Sequence, residues 1–476
     1  MGNMQQAPIM LTDEQMRTFI TEGFLILQTD FPAAFHEQLV SQLNHVYEEE
    51  GNPGNNLLPR IRELQKVFEH PAITGALTSV LGEDYMLHAH RHGHFNASPV
   101  AGGWHKDSYW GYNRMRNHHP WWAMIMYFPQ DTPLELGPTG VMPGTQNYEK
   151  RQFEQDDTPD EATAAGKAGT FALIHYDIWH RSTANVAGRE RYMLKFEFMR
   201  TKAPVAPSWD NQTLEWKRPA ATRRLICEHD LMWKDTWDWL CGKIGSLAAN
   251  GGAASASANA AELSSALQNT DTAEPDALNA AYALAAAGEA GIEALLQALH
   301  HEQRAVSRMA AYGLSAAGGA ALPGLMAALA AGRSDVAMHA VFALGELRGE
   351  ASGAVPALSA LLTSAEPAVR RTIVDALGMI GAPAKEVTAA LVQCLQDEDV
   401  QVRFMAGLAL ARVGAAAADA VPALINALDD DNRYVRAHSL EALRYIGTEE
   451  AKEALIADLF RTRWCSSTTK ESTFYP

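Results

Sequence analysis

Cysteine is scarce in this sequence. Its 476 residues include four cysteines, at positions 227, 241, 394 and 465, and no two of them stand in a C-x-x-C spacing. An extracellular scaffold held by disulfides contains many more cysteines, and a structural zinc site contains closely spaced pairs of them. The cysteine content therefore argues against both classes and indicates a protein of a reducing compartment.

Positive charge is also in short supply. There are 39 lysines and arginines against 56 aspartates and glutamates, which gives a formal net charge of −17, and no basic cluster stands out. A protein whose main partner is a nucleic acid or an anionic membrane carries a concentrated basic surface. We therefore expect neither a nucleic acid nor a membrane among its partners.

Long apolar runs are missing as well. By inspection, no apolar run reaches the roughly 18 residues that a membrane-spanning helix requires. The N-terminus also lacks a basic segment followed by an apolar one, which is the pattern of a secretory signal. Together with the cysteine content, these absences predict a soluble, cytoplasmic protein.

What the sequence does contain is distributed unevenly. Ten of the 11 tryptophans and 13 of the 17 histidines lie before residue 246, whereas alanine and leucine dominate the remainder. A chain of this length needs more than one hydrophobic core, so at least two domains are expected. We predict a chemistry-bearing domain at 1–245, an Ala/Ser/Gly-rich linker at 246–276, a helical domain at 277–460 and a tail at 461–476.

The first domain mixes helical and strand patterns. Thr12 and Gln15 have the spacing of a capping box, which predicts a helix over 12–22. Apolar periodicity predicts further helices over 32–50 and 61–81, with a loop over 51–60 between them. Strands are predicted over 24–27, 87–94, around 105–107, and over 121–128, 139–142, 169–175 and 191–199. Several strands joined by Gly/Pro-rich turns, with little helix between them, indicate an antiparallel sandwich or barrel.

The second domain repeats itself. Six leucines recur at spacings of 30, 30, 33, 33 and 33, usually with a glycine four residues later: Leu284, Leu314, Leu344, Leu377, Leu410 and Leu443. Pro323, Pro356 and Pro422 recur with the same period, and Ala389 stands at the position where the period would place another proline. A period near 33 with two apolar helical patches per unit is typical of an α-solenoid, and about six repeats are enough to bury a continuous core.

One small group of residues carries the chemistry. In an extended segment the side chains of His105 and Asp107 point to the same side, because strand side chains alternate with a period of two. A second imidazole at His180 completes a set of two histidines and one carboxylate. This is the ligand set of non-haem Fe(II) oxygenases, and it leaves three coordination positions open. Arg191, eleven residues beyond His180, supplies a guanidinium suited to binding a carboxylate.

Up to about residue 202 the chain resembles the phytanoyl-CoA dioxygenase family of Fe(II)/2-oxoglutarate-dependent oxygenases. The resemblance begins at LTDEQ (11–15) and GFL (23–25), and it continues through HKD (105–107), GPT (137–139) and PGT (143–145). It is tightest over HRSTAN (180–185) together with Arg191. Gln146 stands where many members have a histidine, and we interpret that position as structural.

The resemblance implies a fold, a set of roles and a reaction. The fold is a double-stranded β-helix (jelly-roll) core with flanking helices. His105, Asp107 and His180 become the iron ligands, Arg191 the anchor for the C5 carboxylate of 2-oxoglutarate, and Ser182 a second contact to it. The implied cofactors are Fe(II), 2-oxoglutarate and O2. Hydroxylation is the expected outcome, because Asp107 stands where related halogenases have a small residue.

Other residues are candidates for substrate contacts. Histidines alternate along 87–94, and His90 or His92 facing the metal pocket is one interpretation; a polar strand face lining a wet cavity or the surface is the other. Near the ligands, the candidates are Trp104, Lys106, Tyr109, Trp110 and Arg114. The basic members favour an anionic substrate, such as a carboxylate, a phosphate or a CoA- or carrier-linked acyl group. A solvated loop with aromatic anchors is the alternative for this segment.

The sequence leaves two functions open. The first is a hydroxylase acting on an unactivated C–H bond of a small molecule. The second is an interaction protein, in which the solenoid binds a protein partner or presents a protein substrate to the oxygenase site. The repeats are similar to the HEAT-like repeats of phycobilin-lyase-type proteins, which lie outside the usual oxygenase. The intact metal ligands favour the enzyme.

Overall fold

The structure is a computed structural model that describes residues 6–107, 115–154, 159–250, 259–330, 332–363 and 366–461. The described chain forms two compact units. The first unit ends at Glu228, and the second begins at His229.

Five helices of the described residues lie before or just after the first strand of the first unit. They are α1 (Asp13–Glu22), α2 (Ala33–Glu50), α3 (Leu57–Arg60), α4 (Leu64–Glu69) and α5 (Pro71–Leu81). The predicted capping box is present: Thr12 N donates to Gln15 Oε1 at 2.9 Å, and Gln15 N donates to Thr12 Oγ1 at 3.3 Å. The helix predicted over 61–81 is divided into two, because Pro71 has no N–H to continue the first one. The predicted loop over 51–60 contains α3 and a 3-10 turn at Gly54–Asn56.

In the part of the chain that the structure describes, eight strands form two antiparallel sheets. They are β1 (Phe24–Gln28), β2 (Met86–Asn96), β3 (Trp122–Tyr127), β4 (Thr139–Val141), β5 (Ala162–Thr163), β6 (Thr170–His175), β7 (His180–Ser182) and β8 (Arg191–Met199). The larger sheet has the order β1-β6-β3-β8-β2, and the smaller sheet has the order β5-β4-β7. This two-sheet arrangement is the predicted jelly roll.

Strand β8 places charged side chains inside the larger sheet. All nine of its residues are buried. Because side chains alternate along a strand, Arg191, Met193, Lys195 and Glu197 share one face. Burying three charged groups on a central strand is costly unless they have partners, so this face is expected to line a polar site.

The strand predicted around His105 and Asp107 is not regular. The structure reduces it to an isolated antiparallel bridge between His105 and His180. The flanking residues 101–104 and 106–107 have no assigned secondary structure. Neither β5 nor β7 was predicted, because strands of two and three residues are too short for a periodic pattern to appear.

The second unit consists of helices, many of them in pairs. They are α6 (Asp230–Leu240), α7 (Ser246–Asn250), α8 (Ala260–Gln268), α9 (Glu274–Ala286), α10 (Glu289–Leu299), α11 (Arg304–Ala317), α12 (Leu322–Ala328), α13 (Ser334–Glu346), α14 (Val355–Leu361), α15 (Pro367–Ile380), α16 (Ala384–Cys394), α17 (Val400–Val413), α18 (Val421–Ala427), α19 (Arg433–Ile446) and α20 (Glu449–Arg461). The six periodic leucines lie in α9, α11, α13, α15, α17 and α19, and every one of them is fully buried. The predicted solenoid is therefore confirmed.

The start of the second unit differs from the predicted division. Helix α6, predicted to be part of the first domain, belongs to the second unit, where it packs on α7 and α9. Next to its first turn, Nδ1 of His229 lies 2.7 Å from Oδ1 of Asn279 on α9. The predicted linker at 246–276 contains α7 and α8, since alanine is the strongest helix former. Gly245 and Gly318 approach so closely that a Cβ on Gly318 would lie 2.6 Å from the Gly245 Cα.

One stretch of the solenoid, Val400–Ala427, is by length and composition apolar enough to cross a membrane, which inspection of the sequence did not detect. In the structure it is divided into α17, a 3-10 segment at Gly414–Ala420 and α18. Ala417 within that segment has non-helical backbone angles. The apolar character belongs to two core helices of one repeat, with Leu410 and Leu424 fully buried.

Candidate active site

The two histidines and the aspartate converge through a backbone pairing. In the bridge between His105 and His180, each N–H donates to the carbonyl oxygen of the other residue at 3.0 Å. The two imidazole centroids lie 4.4 Å apart. Asp107 Oδ2 lies 3.2 Å from Nε2 of His180, and Asp107 Oδ1 lies 3.8 Å from Nε2 of His105. One potential ligand atom from each residue thus lies within 4.8 Å of those of the other two. Among the described residues, no other three His, Cys, Asp or Glu side chains come together in this way.

Backbone carbonyls fix the orientation of both imidazoles. Nδ1 of His105 lies 3.0 Å from the carbonyl oxygen of Gly103, and Nδ1 of His180 lies 3.1 Å from that of Ile178. A carbonyl oxygen only accepts, so each Nδ1 carries a proton and donates it. Nε2 of each ring is then the nitrogen available to a metal, and this is the usual outer arrangement around metal-binding histidines. Burial lowers the pKa of His105, and the neighbouring His180 lowers it further, which favours the neutral form that binds metals.

Asp107 is a buried carboxylate held by several donors. Nζ of Lys195 donates to its Oδ2 at 2.9 Å, and the Tyr176 hydroxyl donates to its backbone carbonyl at 2.9 Å. Burial opposes the charged form of the carboxyl group, but the charges and hydrogen bonds of His180 and Lys195 outweigh it and hold the pKa of Asp107 well below its usual value. Asp107 is therefore an anion, which is the form that binds a metal.

A cavity of about 150 Å³ lies beside these three residues. Its walls include His105 and His180 from the ligand group, Arg191 and Lys195 from β8, and Thr139 and Ser182 from the smaller sheet. Pockets for drug-sized molecules occupy about 300–1,000 Å³. The enclosed space therefore suits a co-substrate of a few heavy atoms and is too small for a CoA ester.

Arg191 is the charged group at the wall of this cavity. It is 1% exposed, and its Nε donates to the carbonyl oxygen of Gly137 at 2.9 Å. No carboxylate of the described chain lies within 4.0 Å of its guanidinium. Burial lowers the pKa of Arg191 to about 10, so it remains a cation at neutral pH. A buried guanidinium without an anion from the protein is suited to receive the carboxylate of a ligand.

The smaller sheet supplies hydroxyl groups to the same cavity. Ser182 on β7 and Thr139 on β4 are paired across the sheet, and both line the cavity. Oγ1 of Thr139 is buried and has no hydrogen-bond partner in the protein. Gly137, just before β4, has φ +71°, and a Cβ there would lie 2.7 Å from the carbonyl oxygen of Thr183. Glycine is therefore required for the turn that delivers its carbonyl oxygen to Arg191.

The residues present fit a divalent metal with a bound oxyanion. Two imidazole nitrogens and one carboxylate form a mixed ligand set of the type that Fe(II) oxygenases use. Metal binding at such a set requires an ionised carboxylate and imidazoles with a free ring nitrogen. The hydroxyl of Thr139, which has no hydrogen-bond partner among the described residues, and the guanidinium of Arg191, which has no carboxylate partner among them, provide donors for a carboxylate beside the metal.

The predicted substrate residues are not gathered in the cavity. His90 and His92 do not line it; their rings stack at 5.8 Å, and Nε2 of His90 lies 3.9 Å from Oε1 of Glu197. Nζ of Lys106 donates to the backbone carbonyl of Thr145 at 3.3 Å, so this side chain is engaged in a structural contact.

Of the four remaining candidates for substrate contacts, the structure describes one and does not describe the other three. Trp104 is largely buried beneath the guanidinium of Arg181, which lies 4.5 Å from its ring centroid. Tyr109, Trp110 and Arg114 lie outside the described residues. Arg189, a second arginine two residues before Arg191 in the sequence, is exposed on the surface.

Two residues of the site were not predicted as functional. Lys195 touches Asp107, and the imidazole of His94 borders the cavity beside it. Burial lowers the pKa of His94 to about 2, with Lys195 adding to the effect, so His94 is a neutral group. The available signal was the alternation along the strands: Lys195 is four residues beyond Arg191, and His94 pairs across the sheet with Met193 on the same face.

Comparison with known proteins agrees with this geometry. Residues 29–193 match the family model described as phytanoyl-CoA dioxygenase (PhyH). Residues 29–193 are a PhyH domain. Residues 322–399 and 388–463 match the model of HEAT repeats, which confirms the prediction of HEAT-like repeats. No curated protein matches the chain significantly in sequence.

The solved structures to which the chain is similar include HygX, ThoJ and SnoK. HygX from Streptomyces hygroscopicus, with nickel and 2-oxoglutarate bound, is 14% identical; the match covers 45% of this chain and 96% of HygX, with a TM-score of 0.34. The ThoJ–Ni complex, a non-haem monooxygenase, is 19% identical over 44% of this chain and 90% of ThoJ, with a TM-score of 0.31. The α-ketoglutarate-dependent carbocyclase SnoK is 14% identical over 41% of this chain and 88% of SnoK, with a TM-score of 0.33.

The PhyH domain contains the complete candidate metal group. His105, Asp107, His180 and Arg191 all lie within its matched range. The protein is therefore a non-haem Fe(II)/2-oxoglutarate-dependent dioxygenase whose cofactors are Fe(II), 2-oxoglutarate and O2. HEAT repeats follow the PhyH domain in the same chain.

Proposed function

We propose that the protein hydroxylates an unactivated C–H bond of a small, anionic or carrier-linked metabolite. In this proposal His105, Asp107 and His180 bind one Fe(II). Arg191 and Ser182 hold the C5 carboxylate of 2-oxoglutarate. The reaction consumes 2-oxoglutarate and O2 and yields succinate, CO2 and the hydroxylated substrate. One oxygen atom of O2 enters succinate, and the other enters the hydroxylated substrate.

The observation that carries the proposal is the position of Arg191. A guanidinium that is 1% exposed would normally have a carboxylate of the protein beside it, and none of the described carboxylates lies within 4.0 Å. The cation instead borders a cavity shared with three potential metal ligands. Only a ligand that is an anion at one end and a chelator at the other uses both features, and 2-oxoglutarate is such a molecule.

The side chains of the protein have separate tasks in this reaction. Bound Fe(II), with 2-oxoglutarate and O2, supplies the oxidising chemistry. The carbonyl groups of Gly103 and Ile178 keep the two imidazoles oriented with Nε2 toward the metal position. Lys195 occupies Oδ2 of Asp107 and leaves Oδ1 as the oxygen without a cationic partner. Arg191 fixes the distant carboxylate, so the keto acid end of the co-substrate is held at the ligand group.

The substrate approaches on the side of His105. The His105 side chain is 52% exposed, whereas those of Asp107 and His180 are 8% and 4% exposed. The cavity is filled by the co-substrate, so the primary substrate binds at this outer edge. Arg181 lines the cavity and lies over Trp104, but it is already paired with Glu161, its Nε donating to Oε1 at 2.9 Å. Arg181 is therefore already neutralised. Of the basic candidates predicted from the sequence, Lys106 is bonded to backbone carbonyls and Arg114 lies outside the described residues.

The HEAT repeats are an interaction module. Helix pairs in a solenoid form extended surfaces, which in other proteins bind partners. We propose that these repeats bind a protein partner, with the oxygenase reaction confined to the PhyH domain. A role of the repeats in presenting a protein substrate is the alternative, and a protein that carries the oxidised residue after turnover would identify it.

The binding of 2-oxoglutarate tests the proposal directly. Under anaerobic conditions, Fe(II) and 2-oxoglutarate together give a weak visible charge-transfer band when the keto acid chelates the metal. Titrating 2-oxoglutarate against this band gives an apparent Kd for the wild type, for Arg191→Met and for the matched surface variant Arg189→Met. Loss of a charge-assisted contact of about 1.5–3 kcal/mol should raise the Kd about 10- to 100-fold in Arg191→Met. An effect limited to Arg189→Met would show that the other guanidinium is the anchor.

A further inference from the structure

Three aromatic rings meet on the surface of the first unit, away from the metal ligands. Tyr47 comes from the last turn of α2, Phe95 from β2 and Tyr192 from β8. The ring centroids of Tyr47 and Phe95 lie 6.0 Å apart, those of Tyr47 and Tyr192 5.2 Å, and those of Phe95 and Tyr192 5.8 Å. Together with Asn44, Glu48 and Glu190 they line a cavity of about 400 Å³, which we name the aromatic groove.

The rings are fixed in place by the fold. Phe95 and Tyr192 are direct cross-strand partners in the β2–β8 pair. The Tyr47 hydroxyl donates to the backbone carbonyl of Gly93 at 2.8 Å, which ties the end of α2 to the edge strand. Tyr192 is 3% exposed and forms the floor, whereas Phe95 is 45% exposed and forms an accessible wall. The exposed part of the Phe95 ring is therefore accessible to a ligand in the groove.

The rim of the aromatic groove is negatively charged. Glu48 and Glu190 are both exposed, and in the described chain neither has a lysine, arginine or histidine within 4.0 Å. Burial raises the pKa of Tyr192, and the negative charges of Glu190 and Glu48 raise it further. Both carboxylates therefore influence the hydroxyl group of the same ring. The groove therefore combines π faces with two unneutralised carboxylates and contains no cation of its own.

We propose that the aromatic groove binds an alkylated ammonium group. The negative face of an aromatic ring attracts a cation, and tyrosine and phenylalanine rings in groups are the typical recognition surface for quaternary ammonium ions. Methyl groups on the nitrogen weaken its hydration and contact the rings, while the two carboxylates balance the charge at the rim. An unsubstituted ammonium ion suits the site less well, because it is more strongly hydrated and has no methyl groups to contact the rings.

The aromatic groove and the cavity that receives 2-oxoglutarate share Phe95 and are otherwise lined by different residues. Side chains alternate across a sheet, so Phe95 and Tyr192 project opposite to their neighbours on the same strands. Those neighbours, His94 and Arg191, line the cavity at the ligand group. A ligand in the groove would thus contact the outer face of β2 and β8. The inner face of β8 carries Arg191, the proposed anchor of the co-substrate. This assignment does not depend on the proposed hydroxylase reaction.

The test compares a cation with its uncharged isostere. The full chain is titrated calorimetrically with choline and, separately, with 3,3-dimethylbutan-1-ol, in which carbon replaces the charged nitrogen. Saturable binding of choline and no saturable binding of the alcohol is the expected result. Parallel titrations with an N-acetyl-trimethyllysine amide and with the unmethylated lysine amide distinguish a free small molecule from the side chain of a protein as the source of the group.

Variants locate the binding. Phe95→Ala should weaken choline binding about two- to fivefold, the effect of one cation–π contact at an exposed site. The double variant Glu48→Gln, Glu190→Gln should weaken it as well, while Glu37→Gln, an exposed carboxylate on the same helix, should leave it unchanged. Choline binding should persist in His180→Ala, which lacks a metal ligand.

Three results would overturn the assignment. Equal binding of choline and the alcohol would show a merely apolar groove. Loss of choline binding in His180→Ala would place the ligand at the metal site. Undiminished binding in both Phe95→Ala and the double glutamate variant would show that choline binds elsewhere.

Discussion

Lys195 changes the electrostatics of the ligand group. Its ammonium group is 2.9 Å from Oδ2 of Asp107, and the two side chains are only 5% and 8% exposed. Two buried opposite charges are stable only together, since removing one leaves the other without compensation. In the metal-free protein Lys195 neutralises the carboxylate that later binds a metal. A metal ion bound to Asp107 also neutralises this carboxylate, so the carboxylate then depends less on Lys195.

Replacing Lys195 tests this division of labour. We expect Lys195→Met to destabilise the metal-free protein by about 3–5 kcal/mol, because Asp107 becomes a buried charge without its cation. Adding Ni2+ or Co2+ should recover much of that loss, so the metal-induced rise in melting temperature should be larger in the variant than in the wild type. Thermal unfolding with and without metal measures both quantities. Lys195→Arg, which keeps the charge, is the matched control; an equal metal-induced shift in the wild type and Lys195→Met would contradict the account.

The sequence predicts some single residues of the site better than others. His105 and Asp107 are separated by one residue, and their family motif is local, so their association is readable without a structure. Lys195 and Asp107 are 88 positions apart, and their contact depends on how two sheets close. Lys106 illustrates the opposite error. Its position between two ligands suggested a substrate contact, yet its side chain turns toward backbone carbonyls that only the folded chain brings there.

At the scale of elements, local rules predicted α1, α2 and the helices of the repeats, and they missed α3, β5 and β7. The Thr12–Gln15 capping box and the repeated leucines act over a few residues, so sequence spacing is enough to find them. The bridge between His105 and His180 depends on a partner 75 residues away and on no local propensity. The division of the helix at 61–81 was predictable in principle, because Pro71 was visible in the sequence.

A buried histidine makes the solenoid sensitive to acid. His339 on α13 is fully buried, and its Nδ1 lies 2.7 Å from the Oγ of Ser307. Burial lowers the pKa of His339 from 6.5 to about 3, and Arg304 and Arg308 lower it further, while Asp335 opposes them. The unfolded chain therefore takes up a proton before the folded chain does. The stability that depends on neutral His339 is complete above the unfolded pKa and is lost as the pH falls from 6.5 toward 3.

Substitution of His339 separates this contribution from general acid unfolding. We expect His339→Leu to lose less stability than the wild type over that pH range, although it is less stable at neutral pH because Ser307 loses a partner. Chemical denaturation at neutral pH and at a pH between the two pKa values gives the comparison. His300→Gln, an exposed histidine one repeat earlier, serves as the control. Identical pH dependence in His339→Leu and the wild type would contradict the assignment.

At the scale of the whole molecule, the composition indicated two domains but placed their boundary too late. Tryptophan content assigned 230–245 to the first domain, because ten of the 11 tryptophans precede residue 246. In the structure Trp233, Trp237 and Trp239 are buried on α6, and α6 packs on α7 and α9 of the second unit. Composition does not reveal which of two cores a tryptophan joins, since either core can bury it.

Two truncations distinguish the boundaries. A fragment of residues 229–476 includes α6, and a fragment of residues 246–476 lacks it. Burying a large apolar side chain contributes about 1.5–3 kcal/mol, so the loss of three buried tryptophans should lower the stability of the shorter fragment markedly. Circular dichroism should show a cooperative helical melt for 229–476 and a lower, broader one for 246–476. Equal melting temperatures would show that α6 contributes nothing to the second unit.

The central claim is that His105, Asp107 and His180 bind the catalytic iron. Metal analysis after anaerobic reconstitution and desalting measures it most directly, on the wild type, on His180→Ala and on His45→Ala, an exposed histidine of α2. The account predicts about one Fe(II) per chain in the wild type and in His45→Ala, and the loss of most iron in His180→Ala, because a facial site with two ligands binds weakly. Iron content equal to that of the wild type in His180→Ala would contradict the assignment of the metal site and of the chemistry that depends on it.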